Sequence, residues 1–142
     1  MKIKSLSLFT PLLDAAAAAG KRAYCPYSRY PVGAAVEAED GTIFTGVNVE
    51  NASYGLTICA ERVAIAAAVT CGHRRVRRLA LVAGTARRPA LPCGACLQVI
   101  AEFATPDFEI LIAPRGRTKQ FVRYVLRDLL PFPFSLRNYP YP

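Results

Sequence analysis

Apolar residues recur at three- and four-residue spacing near the start of the chain, which is the spacing of one helix face. The residues that show this spacing are Leu8, Leu12, Leu13, Ala16 and Ala17. This pattern predicts a first helix over about 7–22. Pro11 lies within it, and because proline is tolerated in the first helical turn, we expect the helix to start near Thr10.

Shorter apolar runs later in the chain predict strands and further helices. β-Branched and apolar residues fill 32–38 and 42–47, and the Asp40-Gly41 pair between them indicates a tight hairpin turn. The remaining predicted elements are a helix over about 59–70, a buried strand over 79–83, a helix opening at Pro92 and running to about Phe103, a buried strand over 108–113, and a strand fragment with a short helix in 121–130.

The order of these elements predicts an α/β protein. A hairpin followed by helix, strand, helix and strand implies right-handed parallel crossovers joined to antiparallel strands. We therefore expect a mixed sheet of about five strands, covered by helices on both faces in a three-layer α/β/α arrangement. Neither a linker nor a repeat divides the chain, so 1–142 is interpreted as a single domain. Residues 139–142 are expected to be loosely ordered unless a neighbouring subunit holds them.

The chain carries an excess of positive charge, which raises the question of nucleic acid binding. The formal net charge is +8, and the densest basic run is Arg74, Arg75, Arg77 and Arg78. No aromatic side chains that could stack on bases interleave with these arginines. We therefore favour a solvated connection between a helix and a strand for this run.

The N-terminus and the cysteines bear on the compartment. Lys2 and Lys4 precede an apolar stretch, as in a secretory signal, but Pro11 and Asp14 interrupt that stretch. The five cysteines are an odd number, and their spacing is unlike a secreted disulfide framework. We expect a soluble protein of the reducing cytoplasm.

Three cysteines and one glutamate form a candidate metal centre. Cys93 and Cys96 are three residues apart, so both thiols can leave one face of a first helical turn, and Cys59 can supply a third. Three protein ligands leave the fourth position of a tetrahedral zinc ion open, as in catalytic sites. Glu61 lies two residues after Cys59 and can move protons without being a ligand.

Five ordered segments resemble the zinc-dependent cytidine deaminases of the small, homotetrameric type that acts on free nucleosides. They are Ala23-Tyr24-Cys25-Pro26-Tyr27-Ser28, Pro31-Val32-Gly33-Ala34-Ala35, Gly46-Val47-Asn48-Val49-Glu50-Asn51-Ala52-Ser53-Tyr54-Gly55, Cys59-Ala60-Glu61-Arg62 and Pro92-Cys93-Gly94-Ala95-Cys96. The resemblance implies one Zn²⁺ per subunit, a homotetramer whose active sites are completed by neighbouring subunits, and hydrolysis of cytidine and deoxycytidine in pyrimidine salvage.

The resemblance also implies roles for substrate-binding residues. Asn48 and Glu50 are two residues apart at a strand end, so they point the same way and can bind the ribose hydroxyls; a turn-capping role is the alternative for Asn48. Tyr30 matches a position that lines the base pocket, and Ala60 matches a substrate contact. Phe134 matches an aromatic that reaches the base from an adjacent subunit. A core role is the alternative for both aromatic residues.

Arg62 is the candidate to offset the negative charge of three thiolates on one zinc ion, because it directly follows Glu61. The alternative is an exposed helix arginine. The sequence departs from the family nearby, since Leu97 stands where an arginine commonly follows the last zinc cysteine. We expect Arg62 to carry more of the compensation here.

The implied reaction is attack of zinc-activated water on C4 of the pyrimidine, with Glu61 passing protons to N3 and to the leaving amine. Three alternatives remain open, one from the same class and two from another. One is a deaminase of a modified cytosine nucleoside, such as a nucleoside antibiotic. The others are a catalytically idle zinc-binding protein, against which the presence of Glu61 argues, and a basic RNA-binding module, against which weak or absent retention on a polyanion resin at moderate salt would argue.

Overall fold

The computed structural model of the protein describes residues 2–136, except for the side chains of residues 2–6 and 89. The expectation for 139–142 therefore lies outside the described residues. The elements in chain order are α1 (Lys2–Gly20), β1 (Gly33–Ala38), β2 (Ile43–Val47), a 3₁₀ turn (Tyr54–Leu56), α2 (Ala60–Thr70), β3 (Val76–Val82), β4 (Gly84–Thr85), β5 (Arg88–Pro89), α3 (Gly94–Phe103), β6 (Glu109–Ala113), β7 (Val122–Val125) and α4 (Leu126–Leu129).

Five strands form one mixed sheet in the order β2-β1-β3-β6-β7, which confirms the predicted strand number. The prediction of successive parallel crossovers is only partly right. β1 pairs antiparallel with both β2 and β3, and β7 pairs antiparallel with β6, so β3 and β6 are the parallel neighbours among the described strands. The reason is that β1 lies between β2 and β3, so the strands that flank α2 run in the same direction without pairing. The small β4–β5 ribbon was not predicted, since two-residue strands leave no apolar period.

Helices cover both faces of this sheet, as the three-layer prediction requires. In β1, Ala34 and Val36 face a core shared with α2, α3 and α4, whereas Ala35 between them faces a core shared with α1. All six residues of β1 are buried, because the strand is covered on both sides. No helix among the described residues is both long enough and apolar enough to span a membrane.

The first helix differs from its prediction at both ends. It starts at Lys2 instead of near Thr10, and it ends at Gly20, so Pro11 lies in the helix interior. Interior proline is costly because it removes a backbone hydrogen bond. Burial offsets this cost, since the residues that follow Pro11 pack on the sheet: Leu12 is 0% exposed and Leu13 is 2% exposed. The predicted start near Thr10 is therefore wrong, because packing on the sheet stabilises a helix that continues through Pro11.

Gly46 of β2 allows α2 to approach the sheet closely. A Cβ atom at this position would lie 2.3 Å from the carbonyl oxygen of Ala60 and 2.4 Å from the backbone nitrogen of Ala64. Only a residue without a side chain fits such a contact. The start of α2 is thereby held directly against the sheet.

The basic run is less solvated than predicted. Arg77 and Arg78 belong to β3, and Arg77 Nε donates to Glu37 Oε1 at 2.8 Å. Arg78 Nε lies 3.4 Å from Glu37 and 3.6 Å from Glu109. These acidic partners on neighbouring strands neutralise half of the run.

Candidate active site

The three candidate ligand cysteines lie at the starts of two neighbouring helices. Cys59 is the residue immediately before α2, and Cys93 is the residue immediately before α3; both have extended backbone conformations and neither side chain caps its helix. Cys96 lies in the first turn of α3 and is completely buried. Both helices thus direct their positive N-terminal ends at the thiols, which favours thiolate.

The distances between the thiols fit a tetrahedral zinc ion. The three sulfur atoms all lie within 4.8 Å of one another, and Cys93 Sγ and Cys96 Sγ are 3.5 Å apart. Ligands about 2.3 Å from a tetrahedral zinc ion are about 3.8 Å from each other. The observed spacing brackets this value, and thiolates are preferred zinc ligands.

The thiols differ in their readiness to ionise. Burial raises the pKa of Cys59, and burial together with the nearby Glu61 charge raises the pKa of Cys96. Burial also opposes ionisation of Cys93, but hydrogen bonding to the backbone of Cys96 and to the Cys96 thiol outweighs it, so the pKa of Cys93 is lowered. Metal binding must therefore displace protons from Cys59 and Cys96.

Glu61 lies in the first turn of α2 and is only 4% exposed. Burial raises the pKa of this carboxyl above its usual range, against the opposing influence of its backbone hydrogen bond and of Arg62. A buried carboxyl beside three thiols is an unusual arrangement for a purely structural metal site. It is the arrangement expected of a group that takes up and releases protons.

Arg62 lies on the thiol side of α2. Its Nη2 donates to the carbonyl oxygen of Thr57 at 3.2 Å and contacts Cys59 Sγ at 4.0 Å, while its Nε is buried without a hydrogen-bond partner among the described residues. The Cys59 contact raises the pKa of Arg62. An unpaired buried donor next to thiols fits a centre that becomes anionic when it binds metal. Leu97 is 7% exposed and packs in the core, so its side chain supplies no such donor.

A cavity of about 400 Å³ opens onto this centre. Its walls include Cys59, Cys93 and Glu61 together with Asn48 and Glu50. A volume of this size lies within the range of ~300–1,000 Å³ that small-molecule sites occupy. Two of the three predicted metal ligands, the predicted proton carrier and the predicted ribose-binding pair therefore line one space, while Cys96 is buried behind it within 4.8 Å of the other two thiols.

Asn48 is 8% exposed and connects two parts of the chain. Its Oδ1 accepts from the backbone nitrogen of Val32 at 2.9 Å, and its Nδ2 donates to the carbonyl oxygen of Tyr30 at 2.9 Å. These bonds tie the end of β2 to the backbone of a segment 16 to 18 residues earlier, so they do not cap a turn at the strand end. An amide with two such bonds still has one donor hydrogen and one acceptor lone pair for a ligand.

Glu50 is held by a residue whose role the sequence analysis missed. Its carboxylate accepts from the backbone nitrogens of Tyr27 at 3.0 Å and Ser28 at 3.2 Å, and from the Ser28 hydroxyl in a short hydrogen bond. The Ser28 hydroxyl is the main cause that lowers the pKa of Glu50. Ser28 Oγ also accepts from the backbone nitrogen of Tyr30 at 3.0 Å. Ser28 lies within a resemblance segment, but serine alone carries no long-range signal.

Tyr30 and Ala60 both line the cavity, as expected. Tyr30 is 44% exposed, so the core alternative does not describe it, whereas Ala60 is completely buried at the first position of α2. The Tyr30 hydroxyl reaches the β4–β5 ribbon, where a Cβ at Gly84 would lie 2.6 Å from it. Gly84 has a φ of +66°, which also favours glycine.

Phe134 does not line the cavity of its own chain and is 61% exposed. The core alternative is therefore wrong for this residue as well. Its backbone nitrogen donates to Gln98 Oε1 at 3.1 Å, and its carbonyl oxygen accepts from Gln98 Nε2 at 2.9 Å. Gln98 was not identified from the sequence, because the two residues are 36 positions apart.

Comparisons with known proteins agree with this geometry. The family model described as the cytidine and deoxycytidylate deaminase zinc-binding region matches residues 10–112. A cytidine deaminase from Halalkalibacterium halodurans is 50% identical over 128 residues, which cover 89% of this chain and 94% of the relative. The crystal structure of cytidine deaminase from Burkholderia pseudomallei is 42% identical, with a TM-score of 0.82 and coverage of 88% of this chain and 98% of that one.

A relative named for a different substrate is less similar. The blasticidin-S deaminase from Bacillus cereus is 29% identical over 115 residues, which cover 76% of this chain and 79% of the relative.

Proposed function

Because this chain belongs to the cytidine and deoxycytidylate deaminase family, we propose that it catalyses the hydrolytic deamination of cytidine and 2′-deoxycytidine to uridine and 2′-deoxyuridine. The observation that carries the proposal is a cluster of three thiols within 4.8 Å of one another, of which Cys59 and Cys93 line a ligand-sized cavity together with the 4% exposed Glu61. The whole of 1–142 forms the catalytic domain in this proposal.

Cys59, Cys93 and Cys96 hold the zinc ion in this proposal, one ion per subunit. Zinc held there would supply a Lewis acid, which lowers the pKa of water toward ~7 in favourable sites. The guanidinium of Arg62, through its contact with Cys59 Sγ at 4.0 Å, offsets the net negative charge of the three thiolates. With Leu97 in the core, Arg62 carries this task without help from the next residue after Cys96.

Glu61 moves the protons of the reaction. It accepts a proton from water as the water oxygen bonds to C4, and it delivers that proton to N3 of the pyrimidine. It then accepts the remaining hydroxyl proton and passes it to the C4 amine, so the C–N bond breaks, ammonia leaves and a carbonyl remains. Burial of the carboxyl supports this role, and proton transfer of this kind contributes ~10²- to 10⁴-fold in rate.

Asn48 and Glu50 bind the sugar in this proposal. The lowered pKa of Glu50 keeps it ionised near neutral pH, so it can only accept hydrogen bonds and suits a sugar hydroxyl. Asn48 can offer its remaining donor and acceptor to the same group. Tyr30 and Ala60 form the wall beside the base in this proposal, since both line the same cavity.

We propose further that the protein is a homotetramer in which Phe134 contacts the nucleoside in a neighbouring subunit. Apolar side chains exposed close to the cavity support an interface: Tyr24, Val49 and Ile58 are joined by backbone bridges and are 55%, 39% and 43% exposed. The exposure of Phe134 outside its own cavity supports the same arrangement. A cytoplasmic location is supported by the five free cysteines, which suit a reducing compartment.

Initial rates of ammonia release from cytidine, deoxycytidine and blasticidin S test the substrate assignment. We expect turnover of both nucleosides and little or none of the antibiotic. Preferential turnover of blasticidin S would transfer the assignment to the modified nucleoside. Light scattering on the purified protein measures the assembly, and a monomer that turns over cytidine would contradict the shared active site.

A further inference from the structure

The C-terminal segment leaves the core at the end of α4 and turns apolar side chains outward. Leu126 is 3% exposed, and Leu129 and Leu130 pack partly against the core. Beyond them, Phe132 is 93% exposed and Phe134 is 61% exposed. Apolar rings on such a segment need an anchor if they are to have a defined position.

Gln98 provides this anchor with both ends of its side-chain amide. Its Oε1 accepts from the backbone nitrogen of Phe134 at 3.1 Å, and its Nε2 donates to the carbonyl oxygen of Phe134 at 2.9 Å. Both backbone polar groups of one residue are thus paired with one planar amide. No other side chain offers an adjacent donor and acceptor at the same reach, because asparagine is one methylene shorter and glutamate has no donor.

The prolines on either side make this pair more important. Pro131 and Pro133 carry no backbone N–H and restrict the chain to extended conformations. The segment therefore has few hydrogen-bonding groups of its own, and Phe134 is a residue at which both are available. An extended stretch with little freedom is oriented efficiently by fixing one residue.

The anchor belongs to the metal-binding helix. Gln98 follows Cys96 by two residues in α3, so the buried thiol and the half-buried amide lie on different sides of one rigid helix. Any displacement of α3 therefore moves the metal ligand and the aromatic segment together.

We infer that Gln98 is a positioning residue that sets the orientation of Phe134 for the nucleoside site of a neighbouring subunit. This inference rests on the proposed function for the role of Phe134, and on the two hydrogen bonds for the role of Gln98. Gln98 itself contacts neither metal nor substrate in this account.

The test uses three variants of the full-length, zinc-loaded protein. Gln98→Met keeps the length of the side chain and removes both hydrogen bonds. Gln98→Glu keeps the acceptor but loses the donor, so it should lie between wild type and Gln98→Met. Gln120→Met is the matched control, because Gln120 is the other glutamine of the chain and is exposed in a loop.

Hydrogen exchange at the Phe134 amide reports the anchor, and steady-state kinetics with cytidine report its consequence. In Gln98→Met, the amide hydrogen of Phe134 should exchange faster than in wild type. The KM of this variant should rise roughly 5- to 30-fold, which corresponds to the loss of one or two net hydrogen bonds. The value of kcat and the zinc content should stay near those of wild type, because lost uniform binding raises KM alone. Gln120→Met should change neither.

A double-mutant cycle with Phe134→Ala separates positioning from general stabilisation. If Gln98 acts through Phe134, Gln98→Met should have little further effect on KM once the ring is removed. Additive effects, an unchanged KM in Gln98→Met, or zinc loss in that variant would each overturn the inference. A wild type that fails to turn over cytidine while its Phe134 amide remains protected by Gln98 would refute the proposed function and leave only the anchor.

Discussion

Replacing Gly46 with alanine tests whether the position of α2 on the sheet sets the chemistry. The added Cβ would lie 2.3 Å from the carbonyl oxygen of Ala60 and 2.4 Å from the backbone nitrogen of Ala64. Both contacts are made by backbone, so no flexible side chain can rotate away. The start of α2, which carries Glu61 and directly follows Cys59, must move instead.

The size of the effect follows from these distances. A Cβ atom makes ordinary van der Waals contact at 3.4 Å or more, whereas the Cβ at position 46 would lie 2.3 Å from the Ala60 oxygen. The start of the helix must therefore move away by about 1 Å. Overpacking of this kind costs about 1–3 kcal/mol of unfolding free energy. A displacement of about 1 Å at catalytic groups costs on the order of 10²-fold in rate. We therefore expect kcat/KM for cytidine to fall by about two orders of magnitude, while Tm falls by roughly 2–12 °C.

Two glycine variants control this experiment. Gly55→Ala adds a Cβ with nothing within 4 Å and should behave as wild type. Gly33→Ala places a Cβ 2.0 Å from the carbonyl oxygen of Ala16 in α1, so it should lower Tm without displacing the thiols. Gly46→Ala with the activity of Gly55→Ala, or with no more loss of activity than an equally destabilised Gly33→Ala, would refute the reasoning.

Three further substitutions address the site directly. Cys96→Ala should lose most of its zinc by elemental analysis whereas Cys71→Ala, which alters an exposed thiol outside the cluster, should retain it; full occupancy in Cys96→Ala would exclude this thiol as a ligand. Glu61→Gln should keep zinc and lose ~10²- to 10⁴-fold in kcat, and a fully active variant would remove Glu61 from proton transfer. Ser28→Ala should raise KM. Because it also returns the lowered pKa of Glu50 toward its ordinary value, the rise in KM on acidification should begin at higher pH than in wild type, and an unchanged pH profile of KM would contradict the pairing.

Much of this architecture was predictable because its causes are local. Each strand of the main sheet coincides with a short apolar run in the sequence. Each metal-binding helix begins directly after a cysteine. The three thiols could be grouped from the sequence because the chemistry of zinc demands few residue types at restricted spacing. Their proximity within 4.8 Å confirms that they can share one ion.

The features that were missed depend on contacts between distant parts of the chain. Gln98 and Phe134 are 36 positions apart, and Ser28 and Glu50 are 22 apart, so no periodicity links them. The start of α1 was misjudged for a related reason, since packing on the sheet maintains a helix that Pro11 alone argues against. Side-chain pairing and tertiary burial are properties of the folded chain and leave little local signal.

The central claim is that three cysteines and Glu61 make one hydrolytic centre for cytidine. It is tested most directly by incubating wild type and Glu61→Gln, matched for zinc content, with cytidine in isotopically labelled water. We expect wild type to release one ammonia per uridine formed, with one labelled oxygen at C4, and Glu61→Gln to form little uridine. Zinc-loaded wild type that forms no uridine, or Glu61→Gln that forms it at the wild-type rate, would contradict the account.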